Sequence, residues 1–309
     1  MFVTARTQVD WAPVSVGDKA SEHPRMAEGK LDEESPGRRD CANALAVSVL
    51  SLKGGVGKTS VVLGLTGAAR TRGLRTLVVD LDPQANATTV LDPAEVRLTT
   101  NDVLTDGRAG VVAEAVSATA WGPTVSVVAS EPGLAHRNHP AEGQPQEHRL
   151  RVAMKGIKNI DLALVDCPPN MGELSKNALA ASDLALIVTE PTMFALTGAQ
   201  RALAAVDAVR RAFNLRLHPA GIVVNRYRSR SAEHRYRLDE LIAVYRDLVL
   251  DPVLPERSAI GAAEGSGVPI QTWPSPGARE VARIFSSYLD QLLNAAGAEG
   301  PLTRVARRR

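Results

Sequence analysis

"LAVSVLSLKGGVGKTSVVLGL", residues 45 to 65, decides the fold. An apolar run, Leu45–Leu52, ends in a glycine-rich turn, and a second apolar run follows at once. A short, continuous Val/Leu run reads as a strand buried on both faces. The second run reads as a helix over about 58 to 72. Strand, glycine loop and helix together make a phosphate site. The glycines let successive backbone N–H groups turn inward as an anion nest. The helix aims its positive end at the same place. The strict G-x-x-x-x-G-K-[ST] spacing would need a glycine where Leu52 stands. What remains is Lys53-Gly54-Gly55-Val56-Gly57-Lys58-Thr59. Lys58 supplies charge to the β- and γ-phosphates, and Thr59 supplies a hydroxyl for Mg²⁺. Ser60, on the same first turn, is a donor for the α-phosphate. Lys53 is a residue that a simple nest does not need.

Outward from this loop the pattern repeats. Further apolar runs are Thr76–Val79, Val125–Ala129, Leu162–Val165, Leu184–Val188 and Ala220–Val224. Helical stretches near 172–181, 196–213, 231–247 and 277–294 separate or follow them. Such alternation predicts an α/β fold, a predominantly parallel sheet with helices on both faces. Ligands in these folds collect at the carboxyl ends of the strands. Acidic residues stand there. "TLVVDLDPQANAT", residues 76 to 88, ends its strand at Asp80, and Asp82 shares a face with it two residues on. "LALVDCPPN", residues 162 to 170, ends at Asp166, which is placed to hold a water on Mg²⁺. "GIVVNRY", residues 221 to 227, ends at Asn225, whose amide can both donate and accept, as an adenine edge requires; a turn or cap is the alternative reading.

Composition sets the frame. With 309 residues and 44% hydrophobic residues the chain can build a sizeable core, and 4% aromatics means that aliphatic side chains fill it. The formal charge of +2 leaves any nucleic-acid affinity to a local patch. Cys41 and Cys167 are too few and too far apart for a disulfide framework or a metal-ligand pattern. Cys167 reads as a small buried filler. His136, His139 and His148 lie in a proline-rich stretch, residues 131 to 149, and fit no zinc spacing. No apolar stretch is long enough for a membrane span, and the N-terminus lacks a signal pattern. A cytoplasmic protein is expected. Residues 1–42 are polar, with scattered prolines and more acids than bases, and read as a disordered extension. Residues 43–296 form the folded domain and 297–309 a basic tail.

At "KGGVGKT" the sequence resembles the ParA/MinD family of P-loop ATPases, whose phosphate loop is the deviant Walker A type. The family's "DxDPQxNxT" and "DxPP" segments are similar to residues 80–88 and 166–169. The resemblance runs from about 45 to 294. It implies ATP and Mg²⁺ as cofactors and a homodimer that forms on ATP binding. Lys53 would cross that interface to the nucleotide of the other subunit. Asp82 would act in water activation and lie near Mg²⁺, with Asp80 beside the metal in support of Thr59 and Asp166. Asn225 would meet the base, flanked by the loop at Pro255. There the family has proline followed by arginine; here Glu256 follows Pro255 and Arg257 comes next.

Residues 201–250 hold ten arginines, no lysine and five acids. Arginine's planar fork suits phosphate oxygens, and several such contacts give salt-sensitive, sequence-independent DNA binding. Arg210, Arg211, Arg226, Arg228 and Arg230 are the first candidates; a solvated arginine-rich face is the alternative. In the ParA branch, the resemblance implies non-specific DNA, a nucleoid location and a ParB-like centromere-binding partner. The MinD branch sits on membranes through a C-terminal amphipathic helix. Here "AGAEGPLTRVARRR" is a poor insertion helix. A MinD-like positioning ATPase and a metabolic P-loop enzyme, such as an ATP-dependent ligase, are the competing readings.

Overall fold

The computed structural model describes residues 44–138 and 148–297. The expected N-terminal extension, His139 and nearly all of the basic tail lie outside them. Seven strands form one sheet in the order β3-β4-β2-β5-β1-β6-β7. They are β1 (Leu45–Leu50), β2 (Thr76–Asp80), β3 (Ser117–Ala118), β4 (Val125–Val128), β5 (Leu162–Asp166), β6 (Leu184–Thr189) and β7 (His218–Val224). All pairings are parallel except β3 with β4. The strands β1, β2, β5 and β6 are buried along their whole length, as continuous apolar runs require.

The helices are α1 (Lys58–Thr71), α2 (Asn86–Leu91), α3 (Thr100–Asp106), α4 (Val112–Ala115), α5 (Arg149–Ala153), α6 (Glu173–Ala181), α7 (Ala195–Ala212), α8 (Ala232–Tyr245), α9 (Ser258–Gly265) and α10 (Pro276–Ala295). One face of the sheet carries α1, α9 and α10, packed through Val61, Leu65, Phe285 and Tyr288. The other carries α3, α5, α6 and α7, packed through Leu104, Leu150, Leu179 and Val206. Each such side chain is worth about 1.5–3 kcal/mol relative to exposure. The approach of α1 to α10 depends on Gly64: a Cβ there would stand 2.2 Å from the Phe285 ring.

The apolar face of α10 is spent on this contact, with Val281, Phe285, Tyr288, Leu289 and Leu292 all buried. Its start is well specified, since Ser275 caps it by accepting from the Ala278 amide at 3.1 Å and Pro276 opens its first turn.

The predicted parallel α/β architecture is observed, and the six apolar runs and five helical stretches appear with ends shifted by a residue or two. The antiparallel edge strand β3 and the helices α2, α3, α4 and α9 were not anticipated, whereas the proline-rich stretch 131–149 reads as a loop into a helix and α5 begins at Arg149. Most are short elements, and their stability comes from packing into the two cores rather than from periodicity.

Candidate phosphate site and its rim

Register delivers the acids. Val49 of β1 and Asp80 of β2 both pair with Asp166 of β5, so three adjacent strands end at one level. The loop after β1 rises from this floor. Gly55 and Gly57 have φ of 77° and 90°, in the left-handed region that glycine adopts without strain. Gly57 carries a second constraint, because a Cβ there would lie 2.3 Å from Asn225 Nδ2 and 3.7 Å from Ser60 Oγ. Val56 is buried and anchors the loop from below. Lys58 is 6% exposed, a lysine held inside the cradle.

Thr59 Oγ1 donates to Asp166 Oδ2 at 2.7 Å. The other oxygen, Asp166 Oδ1, is buried with no hydrogen-bond partner. Burial pushes the Asp166 carboxyl up, the neighbouring Asp80 adds to this, and Thr59 and Lys58 oppose it. A buried carboxylate oxygen with no donor, beside a threonine hydroxyl at a phosphate loop, fits the water shell of a divalent cation. Thr59 and Asp166 are thus the residues suited to Mg²⁺.

The sequence reading also put Asp80 near the metal. Its Oδ2 accepts from the Thr88 amide at 2.9 Å and the Thr88 hydroxyl at 2.7 Å, and its Oδ1 from the Asp82 amide at 3.1 Å. Burial raises its carboxyl to about 6, against the pull of these bonds. Asp80 therefore organises the turn that aims Asp82. Among the described residues no three acid, histidine or cysteine side chains gather as a metal cluster. Asp82 is 7% exposed. Its Oδ1 accepts from the Gln84 amide at 3.0 Å.

Asn225 is brought to the loop by β7, but both ends of its amide are engaged. Nδ2 donates to Val56 O at 2.7 Å, and Oδ1 accepts from the Arg226 amide at 2.8 Å. In this state it braces the phosphate loop. Pro255 lies beside it, because the segments at Tyr227 and Pro255 bridge as short parallel strands. Glu256, the departure after Pro255, forms an ion pair with Arg228.

Lys53 stands on the rim with 55% of its side chain exposed. Its Nζ pairs with Glu190 Oε2 at 3.1 Å, while Arg226 Nη1 takes Glu190 Oε1 at 2.8 Å. Sequence reading missed Glu190, although it follows β6 as Asp166 ends β5. The five arginines do not form one patch. Helix α7 runs about 27 Å from the carboxyl end of β6 back to the start of β7, so Arg210 and Arg211 lie at the opposite end of the sheet from Arg226 and Arg228. Arg211 pairs with Asp207, and Arg210 is half-buried. Arg230 is exposed, and no ion pair engages it among the described residues. His136 lies in the last turn of a 3₁₀ helix over Pro132–Asn138, and His148 stacks edge-on against Phe213. Cys167 is fully buried, and burial raises its thiol far out of the reactive range.

A parallel sheet whose first strand feeds a glycine nest, with a threonine–aspartate pair beneath it, defines a P-loop nucleotide-binding protein. The profile of the AAA domain family matches residues 44–218. The chain is 31% identical over 236 residues to the chromosome partitioning protein ParA of Caulobacter vibrioides, covering 74% of this chain and 87% of that one. It is 32% identical over 230 residues to the sporulation initiation inhibitor protein Soj of Bacillus subtilis, covering 72% and 89%. Among solved structures, cobyrinic acid a,c-diamide synthase of Mycobacterium smegmatis, with bound ADP and magnesium, aligns with a TM-score of 0.66 and 25% identity over 84% of this chain and 98% of that one. This chain belongs to the ParA/MinD family of P-loop ATPases.

Proposed function

We propose that this protein is a DNA-partition ATPase, which binds DNA as an ATP-bound dimer and lets go on hydrolysis. ATP and Mg²⁺ are the cofactors. The nest from Gly54 to Lys58 takes the phosphate chain, with Lys58 neutralising the β- and γ-oxygens and Ser60 donating to the α-phosphate. Thr59 and Asp166 hold Mg²⁺, which supplies charge stabilisation at the transferring phosphoryl group. Asp82, presented by the turn that Asp80 and Thr88 fix, orients the attacking water. Pro255 flanks the base, and Asn225 reaches it once its bond to Val56 O is exchanged.

Lys53 acts in trans. The observation that carries this reading is its position: five residues ahead of Lys58, over half exposed, and held by a rim carboxylate rather than by the nest. An exposed ion pair is worth about 0–1 kcal/mol, so a partner subunit's triphosphate can outcompete Glu190. Dimerisation then completes each site with a charge from the other copy. Hydrolysis is slow until a ParB-like centromere-binding partner stimulates it, and the cargo is a plasmid or chromosomal origin. The protein resides on the nucleoid. The kinship with the chromosome partitioning protein ParA of Caulobacter vibrioides supports this reading over a metabolic ligase.

DNA retention measured with ATP, with ADP and without nucleotide tests it. The expected result is retention with ATP alone, lost as salt rises. Equal retention in all three conditions contradicts the proposal. ATP-dependent pelleting with anionic vesicles, without DNA retention, points to the membrane-positioning branch instead.

A further inference from the structure

One buried acid near the cradle has no part in the scheme above. Glu264, on α9, is largely buried, and its carboxylate faces the Ser60 hydroxyl on the first turn of α1. Its Oε1 is buried with no hydrogen-bond partner. Burial raises this carboxyl, with Ser60 and the charge of Arg226 pulling the other way. A buried carboxylate oxygen without a donor is costly, and such groups in native structures point to a missing partner.

The missing partner must be a donor, which narrows the choice. Phosphate oxygens only accept, and a carboxylate repels them. A nucleotide brings donors at two places, the ribose hydroxyls and the exocyclic amine of adenine. Ser60 is the hydroxyl that the phosphate loop offers to the α-phosphate, and the ribose is joined directly to that phosphate. Asn225 and Pro255, the candidates for the base, lie just after β7 and in the loop before α9. Gly57, Ser60 and Asn225 crowd one edge of the cradle, as the 2.3 and 3.7 Å approaches of a Gly57 Cβ show. An acid against Ser60 therefore lies at the sugar's position.

We propose that Glu264 is a specificity-determining residue, which accepts a hydrogen bond from a ribose hydroxyl of the bound nucleotide and so selects ribonucleotides over deoxyribonucleotides. This rests on the ATPase reading. With no nucleotide bound, the Ser60 hydroxyl lies beside the carboxylate and Oε1 has no partner. When the α-phosphate takes the Ser60 hydroxyl, the sugar supplies the donor that Oε1 lacks.

The test is equilibrium binding of ATP, 2′-deoxy-ATP and 3′-deoxy-ATP to the wild-type chain, Glu264→Gln and Glu264→Ala, with thermal melting to report folding. Wild type is expected to bind at least one deoxy analogue about 10-fold more weakly than ATP, as loss of a bond to a charged acceptor implies. Glu264→Ala should bring the analogues within about 2-fold of ATP, with Glu264→Gln between the two. A wild type that binds all three equally overturns the inference while leaving the ATPase reading intact. So does a Glu264→Ala variant that keeps the full preference, or that weakens all three alike. A wild type that binds none of them overturns the ATPase reading itself.

Discussion

The floor of the cradle and its rim are built on opposite principles. On the floor, Thr59, Asp80, Asp82 and Asp166 are buried or nearly so and joined by short bonds between adjacent strands and turns. On the rim, Lys53, Arg226 and Arg228 are more than half exposed and are held by Glu190 and Glu256. Buried polar bonds are costly to leave unmade, so the floor keeps one arrangement. Exposed ion pairs contribute little, so the rim can change partners. Geometry for chemistry is fixed, and geometry for assembly is exchangeable.

The sharpest way to break this contrast lies on the floor and in the nest. Lys58→Ala removes the charge inside the cradle and should weaken ATP binding by about 100-fold, read by titration calorimetry. Retained affinity would show that the nest alone carries binding. Asp82→Ala should leave affinity nearly unchanged and slow hydrolysis by about 100-fold or more. Its ATP-bound dimer should accordingly persist; hydrolysis at the wild-type rate would remove Asp82 from the mechanism. Gly57→Ala probes the wall between the two regions. It strains a positive φ and drives a methyl at the Asn225 amide, and should cost about 1–3 kcal/mol in denaturant unfolding. On the rim the effects shrink. Glu190→Gln should change stability by less than about 1 kcal/mol, yet raise the dimer fraction at limiting ATP by releasing Lys53. Arg230→Ala should lower the salt slope of DNA binding by about one, with no change in hydrolysis.

The same division explains what the sequence disclosed. The phosphate loop, Asp80, Asp82 and Asp166 were legible because each follows a continuous apolar run, and parallel register does the rest. Helices α1, α6, α7, α8 and α10 were legible from their length and position. Glu190 was available to the same strand-end rule, but its partners are 137 and 36 residues away in sequence. Glu264 gave no signal, because its neighbour Ser60 is reached only through the packing of α9. The arginines misled for a related reason. Closeness in sequence suggested one patch, whereas α7 carries Arg210 and Arg211 to the far end of the sheet. The commitment of Asp80 to Thr88 likewise depends on how the chain after β2 turns back into α2. Spacing reports what a strand end presents, and not which loop returns to meet it.

Light scattering on the wild-type chain and on Lys53→Ala, each with Mg²⁺ and a non-hydrolysable ATP analogue, tests the exchange most directly. The account predicts that both bind the analogue and that only the wild type doubles its mass. A Lys53→Ala chain that dimerises as readily as wild type would contradict it.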